Sequence, residues 1–246
     1  GFTFAFLLVI QSAILYFKHL VASSGNLASL RDFSNAILPQ GANFQAQLIH
    51  SWLLVLLWFQ VALVGGGLVA RDTLHRTRPL IYAHPVTPTH YLLAKGIFAG
   101  ALPLLVLLPF VLVPWGLSML MAGLRGPIWP TAPLHLIPAV LLISALMGAV
   151  ALGASSLAAT PRSGLGWVLG IVLGGDALAR ILAGTLDNRA WLALSPTALG
   201  ATWPSLLCGC ENPPMPWLPA LLGTAAHVAL WTWIASMRTR PTEAVS

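Results

Sequence analysis

Six apolar runs, each about as long as a bilayer is thick, decide what this chain can fold into. They cover residues 2–22, 48–70, 97–122, 136–159, 164–184 and 217–236. Each is near the roughly 20 residues that a helix needs to cross about 30 Å of hydrocarbon. Irregular backbone facing lipid is excluded by its unpaired hydrogen-bonding groups, and the runs are too long for barrel strands. Composition points the same way: of 246 residues, 57% are hydrophobic and 7% charged, against roughly 25% charged in ordinary soluble domains. Six acidic side chains cannot supply the polar surface of a soluble fold of this size. The sequence therefore predicts an all-α polytopic membrane protein with six transmembrane helices, a single transmembrane domain over residues 1–246.

Twelve Lys and Arg against six Asp and Glu give a net charge of +6. The basic residues lie scattered at the ends of the runs, without the dense cluster a phosphate backbone requires, so no nucleic-acid partner is expected. They report topology instead. With six spans both termini share one side, which carries Arg71, Arg76, Arg78, Lys95, Arg162, Arg238 and Arg240. The opposite side has Lys18, Arg31, Arg125, Arg180 and Arg189. The first set crowds into shorter segments, which the positive-inside rule counts most, so both termini are expected to be cytoplasmic. The first run is too long for a signal-peptide core and lacks a basic start, so it reads as a retained span.

The connections differ in character. Residues 23–47 are polar, whereas residues 185–216 hold Trp191, Trp203, Pro196, Pro204 and Pro213. The apolar patches of that second stretch, Trp191–Leu194 and Leu206–Leu207, are too short to cross and suggest a re-entrant or interfacial external segment before the sixth span. Trp129 and Trp217 suit one aromatic belt, Trp231 and Trp233 the other. Pro103, Pro109 and Pro114 predict kinks in the third span, because each removes a backbone donor.

Residues 71–95, between the second and third spans, carry the most information. Thr87 followed by Pro88 is a helix-start signal, a side-chain oxygen at the cap and proline at the first helical position. A short helix over residues 88–95, lying along the cytoplasmic surface, places Tyr91 and Lys95 on one side. Asp72, Thr77, then Pro85, Val86 and Thr87, then Tyr91-Leu92-Leu93 and Lys95 stand in an order that resembles the first cytoplasmic loop of the ABC type-2 transporter permease family. Leu194-Ser195-Pro196 resembles a tripeptide in that family's re-entrant region. Arg76, where the family commonly has Gly, and Pro79 depart from the pattern.

The resemblance implies a multi-pass permease subunit of the cell (inner) membrane. Residues 85–95 would be a coupling helix docked on a separate ABC ATPase subunit, present in two copies. Pro85 and Thr87 would start that helix, Tyr91 would pack at the contact and Lys95 would hold its inner end. A second permease subunit, identical or homologous, would complete the pathway within the lipid bilayer. ATP and magnesium would sit on the partner; this chain would bind no cofactor and be no enzyme by itself. In agreement, Gly65-Gly66-Gly67 lacks the Lys-Ser/Thr of a phosphate-binding loop and reads as close helix packing through small residues.

Other constellations carry less. Gly153-Ala154-Ser155-Ser156 and His227 suggest a rhomboid-like intramembrane serine protease, the enzyme alternative; a structural or channel subunit is the alternative without chemistry. A dyad needs hydrogen-bond reach, yet Ser155 is expected ~28 Å and His227 ~15 Å from the outer surface at 1.5 Å per residue. Those serines therefore read as small residues at a helix contact. Asp176 and Arg180, four apart, form a self-neutralising pair near the external end of the fifth span. Cys208 and Cys210, with Met215 and Glu211 nearby, are soft-ligand types too few for a metal site; a strained disulfide or two unlinked thiols both fit. His75, His84 and His90 match no zinc spacing and read as solvated loop residues.

Overall fold

The computed structural model describes residues 2–23, 41–49, 51–75, 87–122 and 128–239. Every regular element among them is helical: α1 (Phe2–Ser23), α2 (Gly41–Ala46), α3 (Ser51–Gly65), α4 (Ala70–Leu74), α5 (Pro88–Ala122), α6 (Ala132–Leu157), α7 (Pro161–Thr185), a 3-10 helix (Arg189–Leu194), α8 (Pro196–Leu207) and α9 (Trp217–Thr239). Six stretches are long and apolar enough to cross a membrane: α1, α3 continued by α4, α5, α6, α7 and α9. This is the architecture of a multi-pass membrane protein, and the six runs read from hydropathy coincide with it.

The span ends are set by local chemistry. α7 opens on a capping box in which Thr160 and Ser163 each accept from the other's backbone N–H, with Pro161 at the first turn, satisfying two orphan donors at once. α5 begins at Pro88 as the Thr87-Pro88 signal predicts, and the His90 N–H donates to Thr87 Oγ1 at 3.3 Å.

Two expectations need correction. Residues 88–95 are not a separate surface helix; they are the first turns of α5, which runs unbroken to Ala122 through Pro103, Pro109 and Pro114. Gly96 is no obstacle, since glycine costs a helix only about 1 kcal/mol and packing on α6 outweighs that. The second span, in contrast, is not continuous. It ends at Gly65, turns through residues 66–69 and resumes at Ala70.

α6 is the centre of the bundle. Its most apolar stretch is 72% buried, against 11% for α1 and 17% each for α7 and α9, and it packs on α3, α5, α7, α8 and α9. The reason lies in its small residues. Lipid tails are as apolar as leucine, so spans associate by close packing rather than by a hydrophobic drive. At the crossing with α5, a methyl group on Gly148 would stand 2.8 Å from the Gly100 nitrogen. α1 rests on α5, and its Gln11 Nε2 donates to the Leu48 carbonyl, just after α2, at 3.2 Å. The stretch after α7 is folded rather than loose: Asn188 caps the 3-10 helix, Ser195 caps α8, and most of α8 is buried against the spans.

Candidate functional site

Three of the residues singled out between the second and third spans converge. α4 presents Asp72, and the first turns of α5 present Tyr91 and Lys95, one helical turn apart on one face. Lys95 Nζ forms an ion pair with Asp72 Oδ2 at 2.8 Å, and the Tyr91 hydroxyl donates to the same oxygen at 2.7 Å. Lys95 Nζ also donates to the Leu68 carbonyl at 3.0 Å and stands 5.6 Å from the centre of the Tyr91 ring. Tyr91 is buried, while Asp72 and Lys95 are half-buried.

The polar atoms of the cluster are engaged with one another. What it can do is clasp the start of α5 to the stub of α4, across the segment that joins the second and third spans. Thr87 lies exposed at the start of α5. Thr77, Pro85 and Val86 lie outside the described residues.

The break before α4 is held by α6. Ser155 Oγ accepts from the Val69 and Ala70 N–H groups at 2.8 and 3.2 Å. Gly65 lies against Ala151, where an added methyl would come within 2.8 Å, and Gly66 packs on Gly164 of α7. The glycine triplet thus serves helix packing, as its sequence implied. Nothing in the sequence pointed to Ser155 as a hydrogen-bond acceptor for another span, because the signal is a position in space.

His227 is engaged elsewhere. Its Nδ1 accepts from Trp231 Nε1 at 3.2 Å, and the imidazole lies beside the backbone of Ala193 and Leu194. Gly153 packs on Trp231. That register puts Ser155 and His227 about 9 Å apart along the bundle at 1.5 Å per residue. The hydroxyl and the imidazole each answer to other partners.

At the opposite end, Asp176 and Arg180 form the expected pair at 2.8 Å. Asp176 does more than neutralise Arg180. Its other oxygen accepts from Ser195 Oγ at 2.7 Å and from Thr197 Oγ1, tying α7 to the start of α8. The Leu194-Ser195-Pro196 tripeptide therefore has a local reason: Ser195 caps α8 by accepting from the Ala198 N–H at 3.0 Å, Pro196 opens the helix, and Asp176 holds the cap.

Cys208 and Cys210 are unlinked. Burial, with a smaller contribution from neighbouring Cys210, pushes the Cys208 thiol up to about 12. Burial also raises Cys210, partly offset by a hydrogen bond from Ser205. Both are neutral thiols near pH 7, poor metal ligands and poor nucleophiles. Among the described residues no group of three or more His, Cys, Asp or Glu side chains gathers to hold a metal ion.

An open apolar groove of about 860 Å³ runs along α5, α6 and α9, lined by Leu92, Gly96, Gly100, Ala149 and Trp233 among others. It lies toward the α4 end of the bundle, since Leu92 is one residue from Tyr91. No protein-family model matches this chain, and no curated protein matches it either.

Proposed function

We propose that this chain is the transmembrane permease subunit of an ATP-binding cassette transporter, moving substrate across the membrane at the expense of ATP hydrolysed on a separate subunit. The observation that supports the reading is the Asp72–Lys95–Tyr91 cluster. Three residues of the loop pattern, with Asp72 standing 19 positions before Tyr91, meet as one clasp between consecutive spans. A segment that merely connects two spans needs no such clasp. A segment that is pushed by a partner does, because displacement of a loose loop would dissipate before it reached the helices.

On this reading the ATPase subunits close on ATP and press on residues 85–95. The long, unbroken α5 begins within that contact and runs the full depth of the bundle, so the push enters the membrane along a single helix. A second permease subunit faces this one, and the outward surfaces of α1, α7 and α9 meet it or lipid. Residues 189–207 form the external re-entrant segment, steadied by Asp176.

The test is purification from the native host in mild detergent, with co-purifying chains identified and ATP hydrolysis measured. A stoichiometric ATP-binding chain that is lost when Pro85 and Tyr91 are altered is the expected result. If the chain came out alone, with no nucleotide turnover following it, the transporter reading would be abandoned.

A further inference from the structure

A helix break inside a membrane span exposes backbone groups that lipid cannot satisfy. Here the break at residues 66–69 hands those groups to two other spans. The Val69 and Ala70 N–H groups, at the start of α4, donate to Ser155 Oγ on α6. The Leu68 carbonyl accepts from Lys95 on α5. The same lysine binds Asp72 of α4, which also takes the Tyr91 hydroxyl. Gly66 and Gly164 touch backbone to backbone, so α7 crosses the break in close contact with it. α4 is therefore bound sideways to α5 and α6, while a four-residue turn joins it to α3, the helix it continues in sequence.

We infer that residues 66–69 are a hinge and that Ser155 is its latch. α4 and the first turns of α5 move as one body relative to α3, and Ser155 passes that movement to α6. α6 packs on α3, α5, α7, α8 and α9, so a displacement delivered to it reaches most of the bundle. Ser155 is a positioning residue: its hydroxyl accepts from the backbone where α4 begins and acts through it. The hinge deepens the coupling reading and rests on it for its purpose, but it is a property of this chain alone and is measured there.

The test uses the full chain in lipid nanodiscs, with Cys208→Ala and Cys210→Ala as background, and distances between spin-label pairs. Leu74→Cys with Phe59→Cys spans the break; Leu74→Cys with Ile97→Cys lies within the moving body. All three positions are exposed, at 50%, 47% and 71%. Ser155→Ala is expected to widen the distance distribution across the break by about two-fold, as a freed local segment does, and to leave the other pair unchanged. Ser155→Thr keeps the acceptor oxygen and is expected to hold both distributions narrow. Asp72→Asn is expected to widen the Leu74–Ile97 pair.

A Ser155→Ala chain with both distributions unchanged, or both widened alike, overturns the hinge. So does a Ser155→Thr chain widened across the break. If Ser155→Ala gives no monodisperse protein, Ser155→Thr and Asp72→Asn decide by the same criteria: narrow across the break with a wide Leu74–Ile97 pair supports the hinge, and a wide distribution across the break in Ser155→Thr overturns it. Failure to capture an ATP-binding partner removes the coupling reading and does not alter these distances.

Discussion

Breaking the Asp72–Lys95 pair tests the clasp most directly, and its size follows from the geometry. At 2.8 Å the gross attraction is about 6 kcal/mol for an effective dielectric near 20. The side chains keep 27% and 18% of their surface exposed, so solvent screening and the desolvation already incurred remove most of that. Fully exposed pairs retain roughly 0.2–1 kcal/mol, and hydrogen bonds to charged groups about 1.5–3. A coupling of about 1–2 kcal/mol is expected between the two residues. Lys95→Met should cost more than Asp72→Asn. The first strips the Leu68 carbonyl of its donor and takes the ion pair from the Asp72 carboxylate, whereas the second keeps an oxygen for Tyr91.

The exchanged pair, Asp72→Lys with Lys95→Asp, restores the attraction but not the Leu68 bond, because a carboxylate cannot donate. It should recover roughly half of the loss, about 1 kcal/mol. The assay is reversible unfolding in mixed micelles with increasing SDS, run on both single variants, the double neutral variant and the exchange. Strict additivity of the two single losses, within about 0.5 kcal/mol, with no recovery in the exchange, would refute the clasp.

Three further outcomes are expected. Gly66→Ala should abolish most folded protein, because the new methyl would stand 2.7 Å from the Gly164 carbonyl carbon and 2.6 Å from the Ala62 oxygen; Gly174→Ala, with nothing within 4 Å, should be tolerated in the same monodispersity assay. Asp176→Ala should release Ser195 and Thr197, cost about 1–3 kcal/mol and speed hydrogen exchange at residues 188–198, whereas unchanged exchange there would remove Asp176 as an anchor. Cys208 at about 12 should react with a thiolate-selective alkylating reagent about three orders of magnitude more slowly at pH 8 than a free thiol of pKa near 8.5–9. The rate should rise about ten-fold per pH unit up to 11, because a raised thiol pKa favours the protonated folded form. A fast reaction at neutral pH would contradict that burial.

How much was legible in the sequence depended on the range of the interaction. Hydropathy is a property of a segment by itself, so five of the six spans lie within about four residues of the runs read from it, while the third begins nine residues earlier, at Pro88. Thr87-Pro88 marks a helix start through bonds made within one turn, and Tyr91 with Lys95, like Asp176 with Arg180, share a face by helical spacing alone. The capping box at Thr160 and Ser163 is equally local, closing within the first turn of α7. The continuity of α5 was misjudged because the polar composition of residues 71–95 suggested surface, while packing on α6 carries the helix through.

What only the tertiary structure decided concerns rotation and partners. Hydropathy places a helix in the membrane but does not fix its angle about its own axis, and these spans are apolar all round. That angle is chosen by where small residues let backbones approach, as at Gly148 with Gly100 and Gly66 with Gly164, and such a match is a joint property of two surfaces. It put α6 at the centre and interrupted the helix of the second span after Gly65. It also set Ser155 under the Val69 and Ala70 amides, Asp72 against Lys95, and Ser195 against Asp176. Each of those contacts joins residues far apart in the chain, so sequence alone named one or both partners without showing that they meet.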